Sequence, residues 1–397
     1  MTLHRDDAHA FMPYPEAAVP HAAQGPLAGL TFAVKDLFDI AGYPTSGGQP
    51  FVLAMSGIKT ATAPTVQRLL DAGARFVGKT VTDELAFSMN GQNVHFGSPI
   101  NGAAPDRISG GSSSGSASAV SNGLCDFALG SDTGGSVRAP ASHCALVGLR
   151  PTHGRISLAG ALDLAPSFDT CGWFARDVPT FARVADVLLG ADAAPLAQGR
   201  VRLLAPGDLW GLLSADVLDA LRAPRARIEA ALGRAAPVEV ALDGFEAMVW
   251  SFRYLQGREA WRTDGALIER FAPPLGPGVK QRFAWAREVS DAQVEEAASF
   301  RDRLAALLGA DGVLVMPTMP DVAPLVGADE AALEDYRYQS TRMLCVAGLA
   351  GCPQLSLPLA SRLGAPLGIS LLGPAGSDRS LVRLAETIAA AGTRPAQ

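Results

Sequence analysis

From Asp106 to Pro140 the chain runs D-R-I-S-G-G-S-S-S-G-S-A-S-A-V-S-N-G-L-C-D-F-A-L-G-S-D-T-G-G-S-V-R-A-P. Two serines in this stretch each follow a glycine pair: Ser112 after Gly110-Gly111, and Ser136 after Gly134-Gly135. Glycine carries no Cβ, so the backbone N–H groups beside it can come very close to a ligand. A flexible Gly/Ser linker would hold the same small residues. It would not keep returning to a buried register, as Val120, Leu124, Phe127, Leu129 and Val137 do. Ser114–Gly123 is small and apolar on one side, which predicts a helix packed closely against another element. Asp126–Gly130 (DFALG) predicts a strand, and Gly134–Ala141 a turn.

The flanking segments place this block in an alternating α/β pattern. Leu27–Ile40 holds the apolar run L-T-F-A-V, a buried strand ending at Lys35. Thr62–Ala72 opens with a cap-like Thr and an early Pro and sets Val66, Leu69 and Leu70 on one face, which predicts a helix. Arg75–Lys79 reads as the next strand, and strand, helix, strand in sequence argues for α/β layering. Further on, Val201–Leu204 and Gly312–Met316 read as strands and Ala215–Leu232 as an amphipathic helix. Leu355–Leu359 and Leu367–Leu372 read as paired strands, and Ser377–Ala391 as a closing helix. The stretch from about 243 to 310 is helical throughout. We therefore expect one domain over 1–397, with its core at about 27–204 and 311–397 and a helical subdomain or cap at about 205–310.

With 397 residues, 48% hydrophobic and 18% charged, the chain can bury a large core. Its net charge of -6, with no basic run, argues against nucleic acid or an anionic membrane as partner. The five cysteines contain no C-x-x-C pair, so neither a disulfide framework nor a zinc ribbon is indicated. No signal-peptide pattern opens the chain, and a reducing, cytoplasmic compartment is the expectation. Met343–Ser361 carries no charge but is interrupted by Gly348, Gly351, Pro353 and Pro358. That composition predicts a buried helix end followed by a buried strand, not a membrane span.

Two motifs point to chemistry that their surroundings do not support. Gly73–Thr80 (GARFVGKT) matches the phosphate-binding P-loop expression, yet a helix precedes Gly73 and Phe76-Val77 favour a strand. Gly111–Gly115 matches G-x-S-x-G, whose hydrolases need Asp and then His later in the chain. All six histidines (His4, His9, His21, His95, His143, His153) lie in the first 153 residues. They do not group as metal ligands either, so no metal and no cofactor are expected, and His143 and His153 read as structural.

A serine nucleophile still needs a base and an oxyanion site. Without histidine, a lysine kept neutral by burial is the next candidate. Lys35 ends an apolar strand; it is either such a base or a side chain snorkelling to solvent. Consecutive N–H groups over Thr133, Gly134, Gly135 and Ser136 form either a nest able to hold an oxyanion or an ordinary turn. Asp132 and Arg138 flank that loop and are placed to brace it.

G-L-T-F-A-V-K-D around Lys35, the G-G-S-S-S-G-S block and the G-S-D-T-G-G-S-V-R-A-P block together resemble the amidase signature family. The resemblance continues through V-G-L-R-P-T-H-G and S-F-D-T-C-G-W-F-A-R-D, and resumes in V-L-V-M-P-T-M-P and G-L-A-G-C-P-Q-L-S-L-P. It implies an α/β fold with a large mixed, mostly parallel twisted sheet covered by helices on both faces. It also implies an acyl-enzyme nucleophile at Ser136, a bridging serine at Ser112 behind a cis peptide bond, and the base at Lys35. The reaction implied is hydrolysis of a small linear carboxylic amide to carboxylate and ammonia. D-E-L-A-F-S-M-N-G-Q-N-V-H-F-G looks most like the indoleacetamide-type amidases of the family. That segment lines the acyl pocket in relatives, so Phe87 and Met89 on it either accept an aromatic or apolar acyl group or are core. Gly348 stands where many members carry Asn, and the helical extension preceding the lysine is shortened. A homodimer is compatible with the resemblance, as is an amidotransferase A-type glutaminase subunit working with a partner.

Overall fold

In a computed structural model, which describes residues 7–196, 201–241 and 243–391, the L-T-F-A-V run forms strand β1 (Thr31–Lys35). After it come helices α1 (Pro50–Ser56) and α2 (Pro64–Asp71), then β2 (Arg75–Thr80). The expected Thr cap of α2 is not used: Ala63 holds the cap position, and the Thr62 hydroxyl accepts the Ala41 N–H instead. The serine block forms α3 (Ser114–Ser121), β3 (Phe127–Ser131) and α4 (Arg138–His143). Where a turn was expected over 134–141, the chain goes on into α4. The reason is local: the Asp132 carboxylate accepts the N–H groups of Val137 and Arg138, the first donors of that helix.

Next come β4 (Val147–Arg150), β5 (Cys171–Ala175), α5 (Val178–Leu188) and β6 (Arg202–Pro206), then α6 (Gly207–Trp210), α7 (Ala215–Leu232) and β7 (Ala236–Val238). Helices α8 (Phe245–Phe271), α9 (Pro277–Arg287) and α10 (Asp291–Leu308) lead to β8 (Gly312–Pro317). The chain closes with α11 (Glu330–Ala350), β9 (Gln354–Arg362), β10 (Ala365–Leu372) and α12 (Asp378–Ala391). Met343–Ser361 is a helix end followed by a strand, and no helix among the described residues is long and apolar enough to cross a membrane.

Ten strands form one sheet in the order β2-β1-β3-β5-β4-β9-β10-β8-β6-β7. The α/β class and the large mixed sheet are as expected, but parallel pairing is confined to the two ends. There β2, β1 and β3 run together, as do β8, β6 and β7, while the five pairings between β3 and β8 are antiparallel. Each strand presents alternate residues to opposite faces. On β1, Phe32 and Val34 join the main core with residues of α2 and α5, whereas Ala33 packs with Ala117, Ala119 and Val120 of α3. The second face is lined by small residues because helix and sheet approach very closely. A Cβ at Gly115 would come within 2.3 Å of the Ala10 carbonyl oxygen.

The stretch at 205–310 divides in two. Its first part joins the sheet layer: β7 pairs with β6, and α7 packs on β9, β10 and α12. Helix α8 packs on both α9 and α10, and α8 and α10 also reach α11.

Candidate active site

Strand β1 carries Lys35 to the centre of the molecule, where it has no exposed surface. Its Nζ donates to Ser112 Oγ at 2.7 Å and to Ser131 Oγ at 2.8 Å. A buried ammonium loses its hydration, and this desolvation brings the Lys35 pKa down to about 7, although the charges of Asp83, Asp132 and Asp169 act in the opposite direction. Near neutral pH a large share of Lys35 is therefore an uncharged amine. The snorkelling alternative fails because the strand end it would leave from is covered.

Ser112 follows a cis peptide bond from Gly111. Its carbonyl accepts the Asp83 N–H and the Thr82 hydroxyl, each at 3.0 Å. Gly111 donates to the Met89 carbonyl at 2.8 Å, and a Cβ on it would meet the Asp83 carboxylate at 2.2 Å. Only glycine fits between these groups.

The loop leading to Ser136 is organised by Asp132. Oδ1 accepts the Gly135 N–H at 2.9 Å and Arg138 Nη2 at 2.7 Å, while Oδ2 accepts Arg138 Nε at 3.0 Å. Burial opposes the charge on this carboxyl, but Arg138 and then Arg150 hold it well below the usual carboxylate range. Asp132 and Arg138 thus meet as the sequence led us to expect. Arg150, which the sequence did not single out, completes the hub with Nη1 at 3.2 Å from Asp132 Oδ1 and bonds to the carbonyls of Asp132, Thr133 and Phe168.

One consequence corrects the expected oxyanion site. The Gly135 amide is already committed to Asp132, because the carboxylate sits beneath the middle of the loop. Among the described residues, the amides of Thr133, Gly134 and Ser136 have no protein acceptor. Ser136 itself is 4% exposed, and its carbonyl accepts the Ser113 N–H at 3.3 Å, which ties the two serine segments together.

Ser136 opens on a recess lined by Phe87, Met89, Gly134, Phe252, Gln256, Arg337 and Thr341. Leu85 and Ala86, with φ of 49° and 56°, take left-handed conformations that side chains disfavour, and so turn Phe87 toward the recess. Phe87 is held by an edge-on contact with Phe283 (centroids 5.0 Å apart), and Arg282 Nε donates to its carbonyl at 2.6 Å. Gly348 lies beside this region, 3.3–3.6 Å from Phe168, Phe252 and the Thr133 carbonyl measured from an ideal Cβ.

The motifs set aside in the sequence lie elsewhere. Lys79 sits within β2, paired with Val34, and forms a buried ion pair with Asp36 at 2.6 Å, so no phosphate loop exists there. His143 meets the Tyr336 hydroxyl at 2.9 Å and His153 the Pro166 carbonyl at 2.8 Å. His4 lies outside the described residues. No cluster of His, Cys, Asp and Glu suited to a metal occurs among the described residues. Ser131, the second partner of Lys35, was not picked out either. Its signal was its place immediately after the predicted strand Asp126–Gly130, five residues before Ser136.

Compared with known proteins, the chain matches the family model described as Amidase over residues 8–202 and 267–382. It is similar to Amidase 1 of Arabidopsis thaliana, at 39% identity over 92% of this chain and 93% of that protein. A solved structure described as an amidase superimposes with a TM-score of 0.82 at 31% identity, covering 92% of this chain and 85% of the other. The A-type subunit of the glutamyl-tRNA(Gln) amidotransferase of Thermotoga maritima superimposes with a TM-score of 0.81 at 27% identity, covering 97% and 88%.

Proposed function

The chain belongs to the amidase family, and on that footing we propose that it hydrolyses small linear carboxylic amides through an acyl-enzyme on Ser136. The observation that carries this reading is the buried Lys35 Nζ–Ser112 Oγ contact, on a segment tied to Ser136 by the Ser113 N–H to Ser136 carbonyl bond. In the proposed reaction, neutral Lys35 takes the Ser112 hydroxyl proton while Ser112 takes that of Ser136. Ser136 Oγ then bonds to the amide carbonyl carbon. The oxyanion that forms is met by the loop amides of Thr133, Gly134 and Ser136. Its collapse breaks the C–N bond, the proton returns through Ser112 to nitrogen, and ammonia leaves. Water adds to the ester by the same relay, releasing the carboxylate and restoring Ser136. Asp132, Arg138 and Arg150 hold the loop and touch no substrate. Phe87 and Met89 face the acyl group.

The test is a panel of amides from acetamide to aryl-acetamides, with ammonia release as readout, on wild type and Ser136→Ala. Turnover is expected in wild type and none in the variant, with loss of labelling by a fluorophosphonate probe. Ammonia release that survives Ser136→Ala sinks the reading. A second reading, a glutaminase subunit that supplies ammonia to a partner, is supported by the likeness to the amidotransferase chain. It requires glutamine turnover that rises when the partner is added. Amide turnover by the isolated chain without glutamine turnover excludes it.

A further inference from the structure

Helix α11 passes the serine loop and runs outward along the recess. Leu344 lies against Gly135, and its carbonyl accepts Arg138 Nη1 at 2.7 Å, which fixes this turn of the helix to the loop. Thr341 and Arg337, one and two turns earlier, fall on the same helical face, and both line the recess. Seven helical residues rise about 10 Å. Arg337 therefore stands at the outer end of a wall whose inner end is the loop that holds Ser136.

Among the described residues, Arg337 is the one charged side chain lining this recess, and no carboxylate lines it. Its Nη1 donates to the two oxygens of Glu334 at 2.9 and 3.2 Å, while Nε and Nη2 have no acceptor among the described residues. The Glu334 side chain is 53% exposed against 16% for Arg337, and an ion pair with so wet a partner holds weakly. A second guanidinium adds to the positive charge: Arg282 donates to the Phe87 carbonyl at 2.6 Å and lies over the Phe87 ring. The recess thus combines apolar side chains, Phe87, Met89 and Phe252, with a cation two helical turns from the serine loop. A guanidinium edge with two free donors matches the two oxygens of a carboxylate.

We propose that the substrate is the monoamide of a dicarboxylic acid: Arg337 binds the far carboxylate, the methylene chain packs on the apolar side chains, and Ser136 attacks the amide end. This rests on Ser136 as the nucleophile. The two-turn offset favours an extended spacer of several methylenes, because a short acid held by Arg337 leaves its amide short of the loop. The test measures kcat/KM for malonamate, succinamate, glutaramate and adipamate, each against the neutral alkyl amide of equal length, on wild type, Arg337→Met and Ser136→Ala. Wild type is expected to favour the anionic partner of the two longest pairs by about tenfold or more, the scale of a charge-assisted hydrogen bond. Added salt should shrink that preference. Arg337→Met keeps the apolar stem and loses the charge, and should bring the ratio close to one. Neutral amides hydrolysed as well as anionic ones at every length overturn the proposal, as does a preference that survives Arg337→Met. If Arg337→Met does not fold, Arg337→Lys keeps the charge without the paired donors and should lower the ratio severalfold; an unchanged ratio there overturns it equally. These outcomes leave the nucleophile reading standing. That reading fails separately, if wild type hydrolyses no amide of either kind or Ser136→Ala stays active.

Discussion

Burying Lys35 works against the fold. The unfolded lysine titrates near 10.5 and the folded one near 7, so between those values the unfolded chain binds the extra proton and stability rises with pH. Below about 7 both states bind it and the penalty is constant. Lys35→Met should abolish turnover, and its stability relative to wild type should fall as pH rises from 7 to 9, by at most about 1.4 kcal/mol per unit. Parallel urea midpoints across that range would contradict a lysine made neutral by burial. In wild type the same titration should cut kcat/KM as pH drops through about 7, and a flat profile from pH 5 to 8 would remove Lys35 as the base. Asp132 has the opposite sign of effect. Asp132→Asn leaves Arg138 and Arg150 buried without their counter-charge. A loss of about 3–5 kcal/mol is expected in denaturant unfolding.

At the scale of elements, the serine block works because α3 lies almost on the backbone of its neighbours. Gly115 in its first turn faces the Ala10 carbonyl and the main chain of Val81. Gly115→Ala must therefore push α3 outward, at a cost of about 1–3 kcal/mol. Since Ser112 stands two residues before α3 begins, activity should fall together with the thermal midpoint. A variant of normal stability and activity would show that the helix can shift freely. The short helix α4 carries a related lesson. Six residues with Pro140 inside do not announce a helix, and what starts it is the Asp132 carboxylate on its first amides.

Across the whole molecule, the recess at Ser136 is assembled from four distant parts of the chain: the 86–89 turn, the serine loop, α8 and α11. Phe252 and Gln256 on α8 fall between 202 and 267, outside the matched family segments, yet they lie against Gly134. Phe252→Ala should change the ratio of kcat/KM for aryl-acetamides over acetamide by about tenfold or more, at least what a single methylene is worth in an apolar pocket, while fluorophosphonate labelling of Ser136 persists. An unchanged ratio would place the acyl group elsewhere. The lysine-ended strand, the two glycine-flanked serines and most of the α/β order were legible in the sequence, because they follow from local periodicity and from side-chain chemistry. Ser131 as a partner of Lys35, Arg150 beneath the loop, the commitment of the Gly135 amide and the α8–α11 wall were not. The Gly135 amide is taken by a carboxylate only three residues away, through a turn the sequence does not spell out; the others depend on residues tens to hundreds of positions apart meeting in a buried space, where an unpaired charge or amide is costly. The sequence by itself determined which groups could react; only the tertiary structure decided which of them are neutral, which are already bonded, and what stands opposite them.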